Sequence, residues 1–447
     1  MTGGSIFAVL AALSGAAAGG YAVVRLFAAG LSRAEKVAWS VACGMLLSAG
    51  LSALLMAAGL LPGPKKFAAG LLAVGAASAL ALRPGRSPAS VPAKKAAPVA
   101  TKILSAVSYL AVALFALEAA RGGMWSTDHV AIWGFKAKTM FETGTIPHRL
   151  FDDPAVAFSN PRYPLLVPLS LSSFAAALRA WDEHALALLY PLLQLATVLL
   201  VSGFLSRRVS AVSGAFGGLL VSLCAGLYKP ANVGTADIPM ALGFALAATA
   251  WLDLREHPDS SATARLFVGS LFCAATKSEG SLFVLFLFVA SVPPVIRHRR
   301  VPLRESVAMM LPMALHAGAL QLIRGHVADR AVDWSLIFSG NVVELLPRVR
   351  EVLARIVTVE LVAAAAPLAC LAALWLVSAR GPADPLSGPL VLQILAYAAA
   401  CVLSAFDPIW QVDSAFARIT LALFPLVALI AGARLPALRA TASMPRS

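Results

Sequence analysis

Apolar runs of roughly bilayer-crossing length, separated by short polar or basic intervals, follow one another along almost the whole chain. A transmembrane helix needs about 20 mostly apolar residues. Runs of that kind, some of them short, cover 5–28, 37–61, 66–83, 103–120, 184–206, 211–228, 237–254, 264–278, 280–296, 305–323, 353–378, 386–405 and 417–434. The pattern predicts about 13 spans. The first run, from Ser5 to Ala28, has no basic segment before it, so it reads as a span and not as a cleaved signal. One further apolar stretch, 163–181, admits two readings: another span, or a helix that stays at the membrane surface.

Composition excludes a soluble protein. Of 447 residues 59% are hydrophobic and 13% charged, and the mean hydropathy is +0.81. Soluble domains carry about 25% charged residues, and half of that cannot cover a globule of this size. The expected fold is an all-α polytopic membrane protein. The five cysteines, Cys43, Cys224, Cys273, Cys370 and Cys401, lie within or at the ends of apolar runs, with no paired spacing. They read as small core residues, which argues against a disulfide framework or a zinc site.

The net charge of +14, from 36 Lys and Arg against 22 Asp and Glu, sets topology. Basic residues in membrane proteins gather in cytoplasmic loops, so the excess does not imply a nucleic-acid partner. Three clusters stand out: Arg83, Arg86, Lys94, Lys95 and Lys102; Arg207 with Arg208; and Arg297, Arg299, Arg300 and Arg304. All three fall inside only if 163–181 does not cross, which makes that stretch an interfacial or re-entrant helix on the outer side. Lys65-Lys66 is then an exception, placed outside. The chain divides into three accessory N-terminal helices (1–83), a basic cytoplasmic linker (84–102), a membrane module (103–435) with a large outer loop (121–183), and a cytoplasmic tail (436–447).

Under this threading the acidic and aromatic residues collect on the outer face. In the large loop, Val130, Trp133, Ala137, Met140 and Phe141 recur at helical spacing and predict an amphipathic interfacial helix beginning near Asp128. Asp128, or Thr127 beside it, would cap that helix or complement its dipole; equally, Asp128 is a carboxylate above the membrane, able to accept a proton from a hydroxyl. His129 and Lys136 share the segment. Pro161, Pro164 and Pro168 mark a turn leading into a helix, and between them Arg162 is suited to an anionic headgroup or to lipid anchoring. Asp237 stands at the outer end of an apolar run, as a helix cap or as a functional acid. Lys277 and Glu279 interrupt a long apolar stretch, where ionisable groups are costly; they are a structural pair at a helical hairpin or a working site. Arg418, at the mouth of the last run, either binds phosphate or snorkels.

Taken in order, these segments resemble the GT-C superfamily of membrane glycosyltransferases, which includes protein O-mannosyltransferases and the lipid A aminoarabinose transferase. Asp128 after the run 103–120 is similar to the acid of the family's first outer loop. Tyr163-Pro164 resembles the element before its interfacial helix, and Ala236-Asp237-Ile238-Pro239 its second acidic element. Thr276-Lys277-Ser278-Glu279-Gly280 is similar to the Lys-Glu-Gly turn of bacterial members, and Ser414 to Arg418 to Pro425 to a late Arg…Pro element. The resemblance covers about 103–435. Three departures stand out: His129 replaces a second acid found in many members, Ala417 replaces an Asp before the late Arg, and the first three helices have no counterpart in the family's common core.

The resemblance implies transfer of a sugar from a polyprenyl phosphate to an acceptor hydroxyl on a glycan, lipid or protein, at the outer face of a bacterial plasma membrane. It casts Asp128 as the base and Lys277, Arg162 and Arg418 as phosphate-binding cations. His129, Lys136, Tyr163, Asp237 and Glu279 would bind or orient substrate. A divalent metal is compatible with that chemistry, although no ligand spacing demands one. The competing expectations are a secondary transporter or lipid flippase, which would show internal symmetry and charges at mid-membrane, and a non-catalytic envelope scaffold.

Overall fold

The computed structural model describes residues 3–60, 98–147, 153–298, 303–324, 342–363, 384–405 and 407–442, together with Gly63, Lys66 and Gly70. Among these residues the chain is entirely helical, with no β-strand. Four helices are long and apolar enough to cross a membrane: Arg33–Ala57, Val99–Gly122, Glu183–Arg208 and Asp237–Glu256. A bent pair, Pro408–Leu421 with Phe424–Leu435, adds a fifth if counted as one span. Helices also occupy most of the other expected runs, several of them too short to span alone, such as Ala211–Ser222 and Ser387–Val402. The expected run 66–83, apart from Lys66 and Gly70, lies outside the described residues, as do the part of 353–378 after Ala363, Cys370 and most of the basic linker.

We name the elements used below α1 (Gly3–Val24), α2 (Arg33–Ala57), α3 (Val99–Gly122), α4 (Gly134–Thr143), α5 (Leu166–Leu178), α6 (Leu189–Arg208), α7 (Ala211–Ser222), α8 (Asp237–Glu256), α9 (Ser260–Thr276), α10 (Ser278–His298), α11 (Val342–Ala363) and α12 (Ser387–Val402). Helix α2 begins with a reciprocal cap: Ser32 Oγ accepts from the Glu35 amide, and Glu35 accepts from the Ser32 amide at 2.9 Å. It crosses α1 where Gly20 and Gly44 bring the two backbones together. A Cβ at Gly44 would stand 2.3 Å from the Ala16 carbonyl oxygen, so the crossing requires glycine.

The stretch expected to stay out of the bilayer core contains α5. At 13 residues it is about 20 Å long, short of the roughly 30 Å hydrocarbon layer. Its buried serines bind α2: Ser173 Oγ donates to the Ser48 carbonyl at 3.0 Å and lies 2.6 Å from Ser52 Oγ. Helix α2 is therefore bonded directly to α5.

Helix α8 is the central post, buried along nearly its whole length. Charge is confined to its ends. Near its C-terminus Asp253 meets Arg207 at 2.9 Å, Arg265 at 3.4 Å and Arg208 at 3.6 Å. Arg207 also binds Glu35 of α2 at 2.8 Å, and Arg265 donates to the Phe27 and Ala29 carbonyls, both at 3.0 Å. A second charged cluster surrounds Asp237 at the N-terminus, about 24 Å away at helical rise. Two charged layers separated by an apolar post are what a membrane protein presents at its two faces.

Candidate functional site

The cluster at the start of α8 is assembled from four distant segments. Asp237 opens the helix but does not cap it; its amide instead donates to Thr235 Oγ1, and its carboxylate meets Lys277 Nζ at 3.2 Å. Lys277 sits at the break between α9 and α10 in extended conformation, with Glu279 Oε1 at 2.9 Å. The hairpin is tight enough that a Cβ at Gly280 would stand 2.1 Å from the Cys273 carbonyl oxygen. Arg418 completes the group: Nη2 lies 2.7 Å from Asp128 Oδ2, and Nε 2.9 Å from Asp237 Oδ2. Three carboxylates are thus bridged by two cations.

The capping reading of Asp128 does not hold. The helix starts at Thr127, and Ser126 caps it, its Oγ accepting from the His129 amide at 3.1 Å. Asp128 makes no side-chain cap and turns to Arg418 instead. Snorkelling by Arg418 fails likewise, because its guanidinium is engaged by two carboxylates.

Both segments that carry this ion pair contain a π-helical turn, His129–Trp133 after Asp128 and Val412–Phe416 before Arg418. Such turns insert an extra residue and recur at functional sites. The insertion also corrects the expected amphipathic face. Trp133, Ala137 and Met140 are buried as spacing predicted, but Val130 is 63% exposed, and His129 and Ile132 face inward in its place.

Tyr163 stacks on Trp133, with ring centroids 5.1 Å apart and planes 5° from parallel. Burial pushes its phenol up to about 12, with the carboxylates of Glu279, Asp128 and Asp237 adding to the rise against the Lys277 charge; it stands beside the cluster as a neutral hydroxyl. Arg162, partly buried, precedes it on the same loop. Lys136 is fully buried, with Nζ 5.8 Å from both ring centres, and donates to the Asn160 carbonyl at 2.5 Å. It holds the turn in which Asn160 takes a left-handed φ of 47°, so it orients the Tyr163 loop from inside. His129 is also turned inward: Nδ1 donates to the Gly234 carbonyl at 3.4 Å, and burial lowers its pKa.

No family model, curated protein or solved structure matches the chain.

The site's chemistry therefore rests on its own geometry. Several of its buried polar atoms make no hydrogen bond among the described residues: Asp237 Oδ2, Glu279 Oε2, Arg418 Nε, Tyr190 Oη and Gln393 Oε1. The 2.9 Å contact between Arg418 Nε and Asp237 Oδ2 is thus an ion pair without hydrogen-bond alignment. Buried polar groups are nearly always satisfied, and a concentration of unspent donors and acceptors around one ion-pair cluster suits a polar ligand. Gln393 also donates to the Glu279 carbonyl at 3.2 Å. Tyr190, Gln393 and nearby Tyr397 were not singled out in the sequence; their signal was a lone polar side chain within an apolar run. Among the described residues no group of three His, Cys, Asp or Glu side chains converges to hold a metal ion.

Proposed function

We propose that this protein is a GT-C-like membrane glycosyltransferase that moves a sugar from a polyprenyl-phosphate donor to an acceptor hydroxyl. One observation carries the reading: a candidate base and a candidate phosphate-binding cation, Asp128 and Arg418, lie 2.7 Å apart although they come from opposite ends of the module. Lys277 and Tyr163 stand beside them, so the segments that resemble the family share one site.

In the reaction, the acceptor oxygen forms a bond to the anomeric carbon as the bond from that carbon to the phosphate oxygen breaks, with inversion. The acceptor's proton passes to Asp128, and the lipid phosphate leaves with the bonding pair. Arg418 and Lys277 stabilise the charge developing on that phosphate, with Arg162 a further cation on the adjoining loop. Asp237 and Glu279 fix the positions of the two bridging cations. An arriving phosphate competes with Asp128 for Arg418, so donor binding frees the carboxylate that must act as base. The threading places about 13 spans in the membrane and this cluster on the extracytoplasmic face.

Charges in α8 stand at its two ends, whereas a transporter is expected to concentrate them at mid-membrane. The test is detergent-purified protein supplied with a panel of polyprenyl-phosphate hexoses and pentoses and a crude envelope acceptor extract. Release of free polyprenyl phosphate without vesicles supports a transferase. Donor binding with no release, accompanied by lipid-linked sugar movement in sealed vesicles, replaces it with a flippase.

A further inference from the structure

A cleft of about 720 Å³ opens far from the ion-pair cluster, between the N-terminal ends of α2, α3 and α7 and the C-terminal half of α6. It belongs to the end of the molecule where Arg207 meets Asp253. Hydroxyls line it at nearly every turn: Thr101, Ser105 and Ser108 on α3, and Ser202 and Ser206 on α6. Ser108 is turned back to its own helix, donating to the Leu104 carbonyl at 2.9 Å. Thr101 Oγ1 is buried with no hydrogen-bond partner among the described residues. Arg33, exposed at the start of α2, adds a positive charge at the edge, and Lys102 follows Thr101. Apolar side chains, Leu31 and Val198 among them, complete the walls.

We propose that this cleft binds the headgroup of an anionic membrane phospholipid. Polar groups at the wall of a cleft in the side of a helical bundle need polar partners, because hydrocarbon supplies none. Ser202 and Ser206 turn their hydroxyls toward Gly218 and Gly214 of α7, which leaves Ser105 and Arg33 to face a ligand. A guanidinium forms paired hydrogen bonds with phosphate oxygens, the Ser105 hydroxyl donates to a further phosphate or glycerol oxygen, and the apolar walls accept the first carbons of the acyl chains. The ligand lies between the accessory helix α2 and the module helices α3, α6 and α7, so it would join the two parts of the protein. This site is independent of the proposed transfer reaction.

The experiment is native mass spectrometry of the full-length protein in detergent, titrated with phosphatidylglycerol or phosphatidylcholine of identical acyl chains. One basic residue near an anionic headgroup is worth about 1 kcal/mol, or roughly a fivefold preference. Wild-type protein should retain phosphatidylglycerol by about that factor, and Arg33→Gln should lose the preference at unchanged melting temperature. Ser105→Leu should lower binding of both lipids by filling the cleft. Equal retention of the two lipids by wild type, or an unaltered preference in Arg33→Gln, overturns the proposal. Displacement of bound phosphatidylglycerol by millimolar sn-glycerol 3-phosphate also overturns it, in favour of a soluble phosphate ligand.

Discussion

Arg418 and Asp128 form an ion pair of 2.7 Å that ties the last bent helix pair to the first outer loop. The same guanidinium also reaches Asp237, so it is the joint at which three segments meet. Replacing it with Met leaves Asp128 without this cation and Asp237 dependent on Lys277 alone. With its side chain 22% exposed, Arg418 falls between surface and buried pairs, and the expected loss is about 1–3 kcal/mol. Arg418→Lys should recover part of it, since an ammonium lacks the fork that spans two carboxylates. Thermal unfolding in detergent checks the order wild type, Lys, Met; a Met variant as stable as wild type would remove the joint.

Lys277 serves two carboxylates, Asp237 at 3.2 Å and Glu279 at 2.9 Å. Removing one partner of a buried pair costs about 3–5 kcal/mol, so Lys277→Met should be strongly destabilised. Adding Glu279→Gln should restore stability in part, because Asp237 keeps Arg418. If Lys277 also holds the donor phosphate, the rescued double variant folds yet binds polyprenyl phosphate weakly. Full donor affinity in that variant would leave the phosphate to Arg162 and Arg418.

The apolar runs were readable because a bilayer-crossing helix must be continuously apolar, and most of the helices lie where those runs were found. The ionisable residues at their ends were readable for the complementary reason: charge there is costly and so stands out. Pairing was not. Nothing local joins Asp128 to Arg418, because that contact depends on how α8, α9 and the bent terminal pair come together. The π-turns were hidden as well, since periodicity assumes 3.6 residues per turn; the extra residue moved Val130 outward and His129 inward. Tyr190 and Gln393 are not legible in the sequence, because one polar atom hardly alters the hydropathy of a long run.

The two charged ends of α8 should lie on opposite sides of the membrane. Ser159 and Asn232, natural choices for probing the outer loops, are both buried and would label poorly. Trp125 and Lys229 are exposed near the site, and His257 and Asp259 are exposed at the other end. In a background lacking native cysteines, Trp125→Cys and Lys229→Cys should react with an impermeant thiol reagent in intact cells, whereas His257→Cys should react only after permeabilisation. Labelling of all three from outside would break the threading.

Acid should loosen the outer loop through His129. Burial holds its imidazole below the ordinary value of 6.5, against the opposing effect of Glu183 and the Gly234 carbonyl. The folded-state value is the lower one, so as pH falls below about 6.5 the unfolded chain takes up the proton first and stability declines until the folded value is passed. Melting temperature should therefore drop from about pH 7 to about pH 5, and His129→Asn should drop less steeply. Parallel pH profiles for the two proteins would show that this ring does not titrate on unfolding.

The most direct test of a transfer centre at this cluster is donor turnover by Asp128→Asn, measured beside its donor affinity and melting temperature. Asn preserves size and can still accept a hydrogen bond from Arg418, but it cannot take the acceptor's proton. Loss of a general base lowers rate by about 10²–10⁴. The expected result is a folded variant that binds polyprenyl-phosphate sugar at least as tightly as wild type does and releases polyprenyl phosphate slower by that factor. Turnover within about twofold of wild type, well inside the range that loss of a general base would produce, would contradict Asp128 as the base and make its contact with Arg418 purely structural.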